Sequence, residues 1–290
     1  MVETNNLSAE DAALIHELAP ILGITFVNSI GESERKFYIE TTKGEKWMLR
    51  ITAKGNDDWL GGKCLYEYMA TVGTNVSLKA SEGFLEGGEL VYELWTWIDG
   101  EALNEVLPRM SQAERFEIGK KFGEAARKIH SLPPLGYTRP WSIHCKEKVD
   151  NVIASFEGKT NTKAENQLIK YLLDNQELLD NRPTTFIKGD WNTGNLMLTP
   201  DGRIWLIDCG AISGDPWSEF WEFNGDDVYF NTGEIKGYFG GEPPTEYFPL
   251  LCYYIALGTL EWYPHTAEMV VGWFDDMRNP VPTWYLKDYR

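Results

Sequence analysis

The sequence predicts an α+β protein in two successive parts, an antiparallel sheet followed by a mainly helical region. Three observations carry this expectation. Residues 1–95 contain a series of short segments in which apolar and polar residues alternate. After Asp99-Gly100 the alternation gives way to long stretches with helical spacing. The composition, 43% hydrophobic, 13% aromatic and 24% charged, is that of a chain that can bury real cores. A length of 290 residues leaves room for about two domains, drawn here at 1–95 and 96–290.

Taken in order, "LSAEDAALIHELA" reads as a short amphipathic helix, with Ser8 as N-cap and Asp11 at the third helical position. "GITFVNSI", "RKFYIETT" and "EKWMLRIT" read as strands of a meander, the last two joined by the turn "TTKGEK". "CLYEYMATV" has helical spacing, and "SLKASEGF" and "GELVYELWTWI" read as two further strands around "LEGG". Residues 103–132 read as mostly helical, stopped by Pro133-Pro134. Residues 161–180 form another amphipathic pattern, and an aromatic-rich helical tail completes the chain. The apolar run in "YFPLLCYYIALGTL" is too short to span a bilayer and reads as a buried helix.

The formal net charge of -17 argues against a nucleic-acid partner and against an anionic membrane surface, and would attract a cationic ligand. The four cysteines form no CxxC pair and the N-terminal residues lack a basic, apolar leader, so the expected compartment is the cytoplasm.

The chemistry concentrates in "FIKGDWNTGNLMLTPDGRIWLIDCG", residues 186–210. Asp190 and Asn195 share one polar loop. Asp208 follows a predicted hairpin with its turn at Pro200-Asp201-Gly202, which returns the chain to the loop. Phosphoryl transfer needs this set. A carboxylate must sit near the proton of an acceptor hydroxyl, and a magnesium ion on the phosphates needs hard oxygen ligands such as one carboxylate and one carboxamide.

This stretch resembles the aminoglycoside phosphotransferase and choline kinase-like family, which shares the protein-kinase fold. The family's His-Gly-Asp, four residues, Asn, then a strand ending Ile-Asp, reads here Lys188-Gly189-Asp190, Asn195 and Ile207-Asp208. A later Gly-Asp-Pro matches Gly214-Asp215-Pro216, and "KIHSLP" resembles the helix end before the acceptor region. The resemblance implies a two-lobed fold that uses ATP or GTP with magnesium to phosphorylate a small-molecule hydroxyl. It implies Asp190 as catalytic base, Asn195 and Asp208 as metal ligands, and Asp215 as a brace bonding backbone amides. In the first lobe it implies Arg50 at the phosphate-binding lysine position with Glu67 as its helix partner. It further implies Ser29 in a phosphate loop with Gly31 and Ser33, Met48 against the base, and backbone groups of Thr96 and Ile98 pairing with adenine. Two positions depart from the family, Lys188 for the histidine and Arg50 for the lysine. They motivate a second reading as a nucleotide-binding pseudoenzyme.

For the acceptor, Glu219, Glu222 and Asp226 fall at i, i+3 and i+7, one face if the segment is a helix. Such a carboxylate stripe favours a cationic amino sugar or amino alcohol, as in antibiotic-modifying kinases. Choline, homoserine or a plain sugar are the metabolic alternatives.

Overall fold

The computed structural model describes residues 2–30, 35–54, 60–85, 87–136, 139–210, 212–222, 227–277 and 281–289. These residues form two compact units. The first comprises 1–71, 75–100 and 197–207, and the second comprises 72–74, 101–196 and 208–290.

The first unit opens with β1 (Glu3–Asn5) and α1 (Ala9–Leu22), whose N-cap Ser8 accepts from Asp11 N. It continues with β2 (Ile24–Ser29), β3 (Arg35–Thr41), β4 (Lys46–Ala53), α2 (Leu60–Ala70), β5 (Lys79–Phe84) and β6 (Leu90–Thr96). The sheet order is β1-β2-β3-β4-β6-β5, antiparallel except where β1 joins β2. Alternation along the strands sends Val27, Phe37, Ile39, Leu49 and Leu94 into one core, closed by Ile15 and Leu18 of α1. The segment 197–207 belongs to this unit because Asn75 Nδ2 donates to Ile204 O (3.0 Å) and Leu206 N donates to Asn75 O (2.9 Å).

The second unit contains β7 (Glu101–Ala102), α3 (Leu103–Val106), α4 (Gln112–His130), α5 (Trp141–Ala154) and α6 (Lys163–Asp174). The helix expected over 103–132 is therefore divided. A 3-10 turn at Leu107–Arg109 carries Pro108, and Ser111 with Glu114 makes a capping box that restarts the chain as α4. In chain order there follow β8 (Thr185–Ile187), the hairpin strands β9 (Leu196–Leu198) and β10 (Ile204–Leu206), whose residues 197–207 belong to the first unit, and β11 (Ile212–Gly214). The hairpin turn is closed by Gly202 N to Thr199 O, 2.8 Å, with Gly202 at φ 75°. Helices α7 (Val228–Phe239), α8 (Tyr247–Trp262) and α9 (Ala267–Met277) complete the second unit. Among the described residues no helix is long and apolar enough to cross a membrane.

The pairing of α4 with α7 supports the loop that carries Asp190. Four glycines line their seam. A Cβ added to Gly119 would lie 2.1 Å from Phe230 O, and one on Gly123 1.9 Å from Glu234 O. From the other side, a Cβ on Gly233 would lie 2.1 Å from Phe116 O and one on Gly237 2.0 Å from Lys120 O. The two backbones thus touch without side chains between them. Phe122, beside Gly123, stacks on Trp191 at 4.0 Å, and Trp191 Nε1 donates to Glu234 Oε1 at 2.8 Å. Gly123→Ala is expected to push α7 away at Glu234 and to cost about 3 kcal/mol of stability, the upper range for overpacking. Chemical denaturation checks this, and a loss below about 1 kcal/mol would show that the seam yields.

Candidate active site

Residues 188–195 connect β8 to β9 as a tight loop. Gly189 sits at φ 71°, where glycine is at ease, and a Cβ there would also lie 3.2 Å from the Gly210 carbonyl carbon. Asp190 and Asp208 are held at φ 50° and 53°, a left-handed conformation that a non-glycine residue adopts at a cost. Both aspartates are exposed and Asn195 is half-buried.

The Asp190 carboxylate is fixed from two sides. Asn192 Nδ2 donates to Oδ1 at 2.7 Å, and Asn195 Nδ2 donates to Oδ2 at 2.5 Å. Asn192 is itself oriented, because its Oδ1 accepts from Gly194 N at 2.9 Å and its Nδ2 also reaches Glu222 Oε2 at 3.0 Å. Burial raises the Glu222 carboxyl above the usual range, while the Asn192 bond pulls it down and nearby Asp190 raises it.

Beneath the loop the groups are buried. Lys188 is 1% exposed, and its ammonium donates to Gly189 O (3.2 Å), Asp190 O (3.1 Å) and Asp208 O (2.8 Å). Burial pulls its pKa down, opposed by nearby Glu219. Glu219, 4% exposed, accepts from Gly189 N and lies 2.5 Å from His130 Nε2. On its other side the His130 ring places Nδ1 3.1 Å from the Tyr238 hydroxyl. Asp215, fully buried, accepts from Arg182 Nε and Nη2 (2.6 and 2.9 Å), from Trp217 N (3.0 Å) and from the Tyr254 hydroxyl (2.7 Å).

A cavity of about 120 Å³ lies beside Asp190, with Trp141, Trp221, Trp262, Leu257 and the Lys148–Glu261 pair in its wall. Lys148 Nζ is 2.7 Å from Glu261 Oε2 but poorly aligned for a hydrogen bond. Trp221 fits against α8 because residue 258 is glycine; a Cβ there would lie 2.1 Å from the indole. Lys148 and Glu261 also line a larger neighbouring cavity of about 460 Å³ along α5.

The donor set suits a hard divalent cation. Asn195 and Asp208 present a carboxamide and an exposed carboxylate. Among the described residues no three His, Cys, Asp or Glu groups converge on one metal position.

The model of the phosphotransferase enzyme family matches residues 26–223, more than half of the chain. The chain belongs to the phosphotransferase enzyme family. No curated protein matches it significantly. Similar solved structures include an aminoglycoside phosphotransferase in ternary complex with ADP and hygromycin B. It shares 16% identity, over 92% of this chain and 98% of that one, with a TM-score of 0.65. The GDP complex of aminoglycoside 2'-phosphotransferase-IIIa gives a TM-score of 0.67 at 12% identity, over 93% and 97%. A choline/ethanolamine kinase family protein from Mesorhizobium loti gives 0.59 at 16% identity, over 95% and 88%. At these identities the likeness establishes the protein-kinase-like fold.

Several expected positions in this phosphotransferase are corrected by the geometry. Glu219 and Glu222 do not share one helix face. Asp215 and Pro216 start a 3-10 helix that ends at Trp221, Glu219 turns inward to Gly189 and His130, and Glu222 turns to Asn192. Asp226 lies outside the described residues, as do Gly31 and Ser33 of the expected phosphate loop. Thr96 is a poor adenine donor, because its N–H already serves Leu78 O at 2.9 Å. The Ile98 carbonyl accepts from Gly100 N at 2.9 Å. Arg50 stands on β4 opposite Glu93 with its Nε buried, Glu67 is exposed on α2, Met48 is half-buried on β4, and Ser29 ends β2.

The roles of Asn192, Trp191, His130 and the buried Lys79–Glu93 pair (2.9 Å) are not evident from the motif pattern. The spacing Asp190-x-Asn192-x-Gly194 held a signal for the first, since a side-chain carbonyl commonly accepts from a backbone N–H two residues on.

Glu234 gives the phosphotransferase a pH signature. Burial pushes its carboxyl up to about 8, against the Trp191 bond and with help from Glu219. An exposed glutamate ionises near about 4.3, so between the two values the unfolded chain has lost a proton that the folded chain keeps. Stability attributable to this group therefore falls as pH rises through that window. Glu234→Gln keeps an acceptor for Trp191 and is expected to gain in melting temperature over wild type from about pH 5 to about pH 9. A gap that does not widen would exclude a buried neutral acid here.

Proposed function

We propose that the protein transfers the γ-phosphoryl group of ATP or GTP, with magnesium, to a hydroxyl of a cationic small molecule, an amino sugar or amino alcohol. The observation that carries this is Asp190, an exposed carboxylate fixed by two carboxamides at the edge of an indole-lined cavity. An acceptor in that cavity would place its hydroxyl against a free lone pair of Asp190, which takes the proton as the oxygen attacks the γ-phosphorus and the bond to the departing diphosphate breaks. Asn195 and Asp208 would hold magnesium, which supplies charge neutralisation on the phosphates. Arg50 is the proposed phosphate contact, with Glu67, Ser29, Met48 and Ile98 the remaining nucleotide-side residues. The ADP, GDP and AMP-PNP held by structural neighbours support a nucleotide donor.

The cationic acceptor is supported by the chain's charge of -17 and by indole faces beside carboxylates, since such faces attract ammonium groups. Glu261 replaces the expected stripe as the proposed anionic contact. Lys148 now neutralises it, and an acceptor amine would displace that ammonium. A coupled assay of ADP release over amino sugars, amino alcohols and their N-acetylated forms tests the reading. Glu261→Gln is expected to raise the KM of an amine-bearing acceptor by roughly five- to tenfold at low salt, with little change for the acetylated form. A neutral sugar as best acceptor would remove the cationic part and leave phosphotransfer in place. The pseudoenzyme alternative loses one of its motives, because the Lys188 ammonium contacts backbone carbonyls inside the loop's fold.

A further inference from the structure

The peptide groups around Asp190 are met from beneath by two buried charges of opposite sign. The Glu219 carboxylate takes the Gly189 N–H. The Lys188 ammonium donates to the carbonyls of Gly189, Asp190 and Asp208 at 3.2, 3.1 and 2.8 Å. An ammonium carries three donors and no acceptor, so these carbonyls use its whole capacity. All three belong to residues with left-handed backbones, Gly189 at φ 71° and the two non-glycine residues Asp190 and Asp208 at φ 50° and 53°. Those conformations persist only where the surroundings over-determine them. Lys188 is 1% exposed, and burying a charge is costly unless it is paired and hydrogen-bonded. Here the compensation comes from the three carbonyl dipoles and the neighbouring Glu219.

We infer that the Lys188 ammonium serves as a built-in monovalent cation, coordinated by backbone oxygens, and is the positioning residue that holds Asp190 and Asp208 in their left-handed conformations. An imidazole at this position could not do the same. Its two nitrogens point in diverging directions and offer at most two N–H groups, whereas the three carbonyls converge on one atom. The lysine is therefore a different solution at the family's histidine position. Its consequence for catalysis rests on the roles proposed above for Asp190 and Asp208.

Chemical rescue tests this. Lys188→Ala removes the three methylenes beyond Cβ together with the ammonium, a fragment that n-propylammonium reproduces. Lys188→Met fills the space without donors. Two readouts are followed, the thermal transition and the magnesium-dependent affinity for ADP by calorimetry. Both variants are expected to melt below wild type and to lose roughly tenfold in magnesium-dependent affinity. n-Propylammonium should raise the melting temperature of Lys188→Ala and restore most of its affinity, whereas n-propanol and tetramethylammonium should not. The first has the volume without the charge, and the second has the charge without donors. If Lys188→Ala does not fold alone, the inference requires n-propylammonium to restore a cooperative transition. Wild-type affinity and stability in Lys188→Met overturn it. So do equal rescue by n-propanol and indifference of Lys188→Ala to the amine, folded or not. If wild type itself shows no magnesium-dependent nucleotide binding, the kinase reading fails, and the amine dependence of the thermal transition still decides the role of Lys188.

Discussion

Replacing Asp208 with alanine is expected to abolish the magnesium dependence of nucleotide binding, a loss of roughly 100-fold or more in affinity at saturating magnesium. Asp208 is exposed, follows the β9–β10 hairpin and has its backbone carbonyl held by Lys188 at 2.8 Å, which leaves its side chain facing solvent. In the proposed function it would form with Asn195 a two-ligand site completed by phosphate oxygens and water, so losing the only carboxylate of the pair would remove most of the charge that binds the ion. Alanine is also poorly suited to φ 53°, which adds a conformational component to the effect. Asp208→Asn separates the two, because asparagine tolerates the left-handed region and keeps an oxygen ligand while losing the charge. Calorimetry with and without magnesium should show both variants binding as wild type does without the ion. Retention of the magnesium enhancement in both would remove Asp208 from the metal site.

Asp190→Asn should lower turnover by about 100-fold or more, the scale for removing a general base, with nucleotide affinity nearly unchanged. The geometry adds a second reason. Both Asp190 oxygens accept from carboxamides, at 2.7 and 2.5 Å. Asparagine turns one of those oxygens into an NH2 that faces another NH2, so the loop loses a bond as well as a base. The measurement is steady-state kinetics with the acceptor found by the ADP-release panel. Turnover within a few-fold of wild type would transfer the proton-accepting role elsewhere.

How much of this could be read beforehand follows from the range of each interaction. The strands of the first unit were legible because alternation is a property of a single segment, and β3 and β4 follow it closely, whereas β2 carries a register shift after Ile24 and β6 buries Glu93, Leu94 and Trp95 in succession. Asp190, Asn195 and Asp208 were legible because their spacing is set by one loop and one hairpin. The inward turn of Glu219 was not. Helical spacing placed it on a solvent face, while the Asp215 cap and Pro216 wind the segment as a 3-10 helix, whose period is shorter. Long-range partners were equally hidden. Trp191 meets Glu234 across 43 residues, and Asn75 meets Ile204 across 129. Lys188 was identified as a departure from the family, but the number of carbonyls converging on it is a property of the folded loop.

The glycine seam between α4 and α7 has a consequence for which substitutions this protein can survive. At Gly119, Gly123, Gly233 and Gly237 the direction a Cβ would take is filled by a carbonyl oxygen of the other helix, so each glycine points an α-hydrogen at that oxygen. The seam is thus a ladder of four Cα–H···O contacts, each weak and all requiring the same close approach. Separating the helices enough to admit one methyl group would lengthen all four together. The cost of a first replacement is therefore shared by the whole ladder, and a second replacement in the opened seam should cost less than the first. Losses at these four positions should accordingly be strongly sub-additive. Inactivating substitutions should gather along a featureless strip of glycines, as well as at the carboxylates that face the substrate.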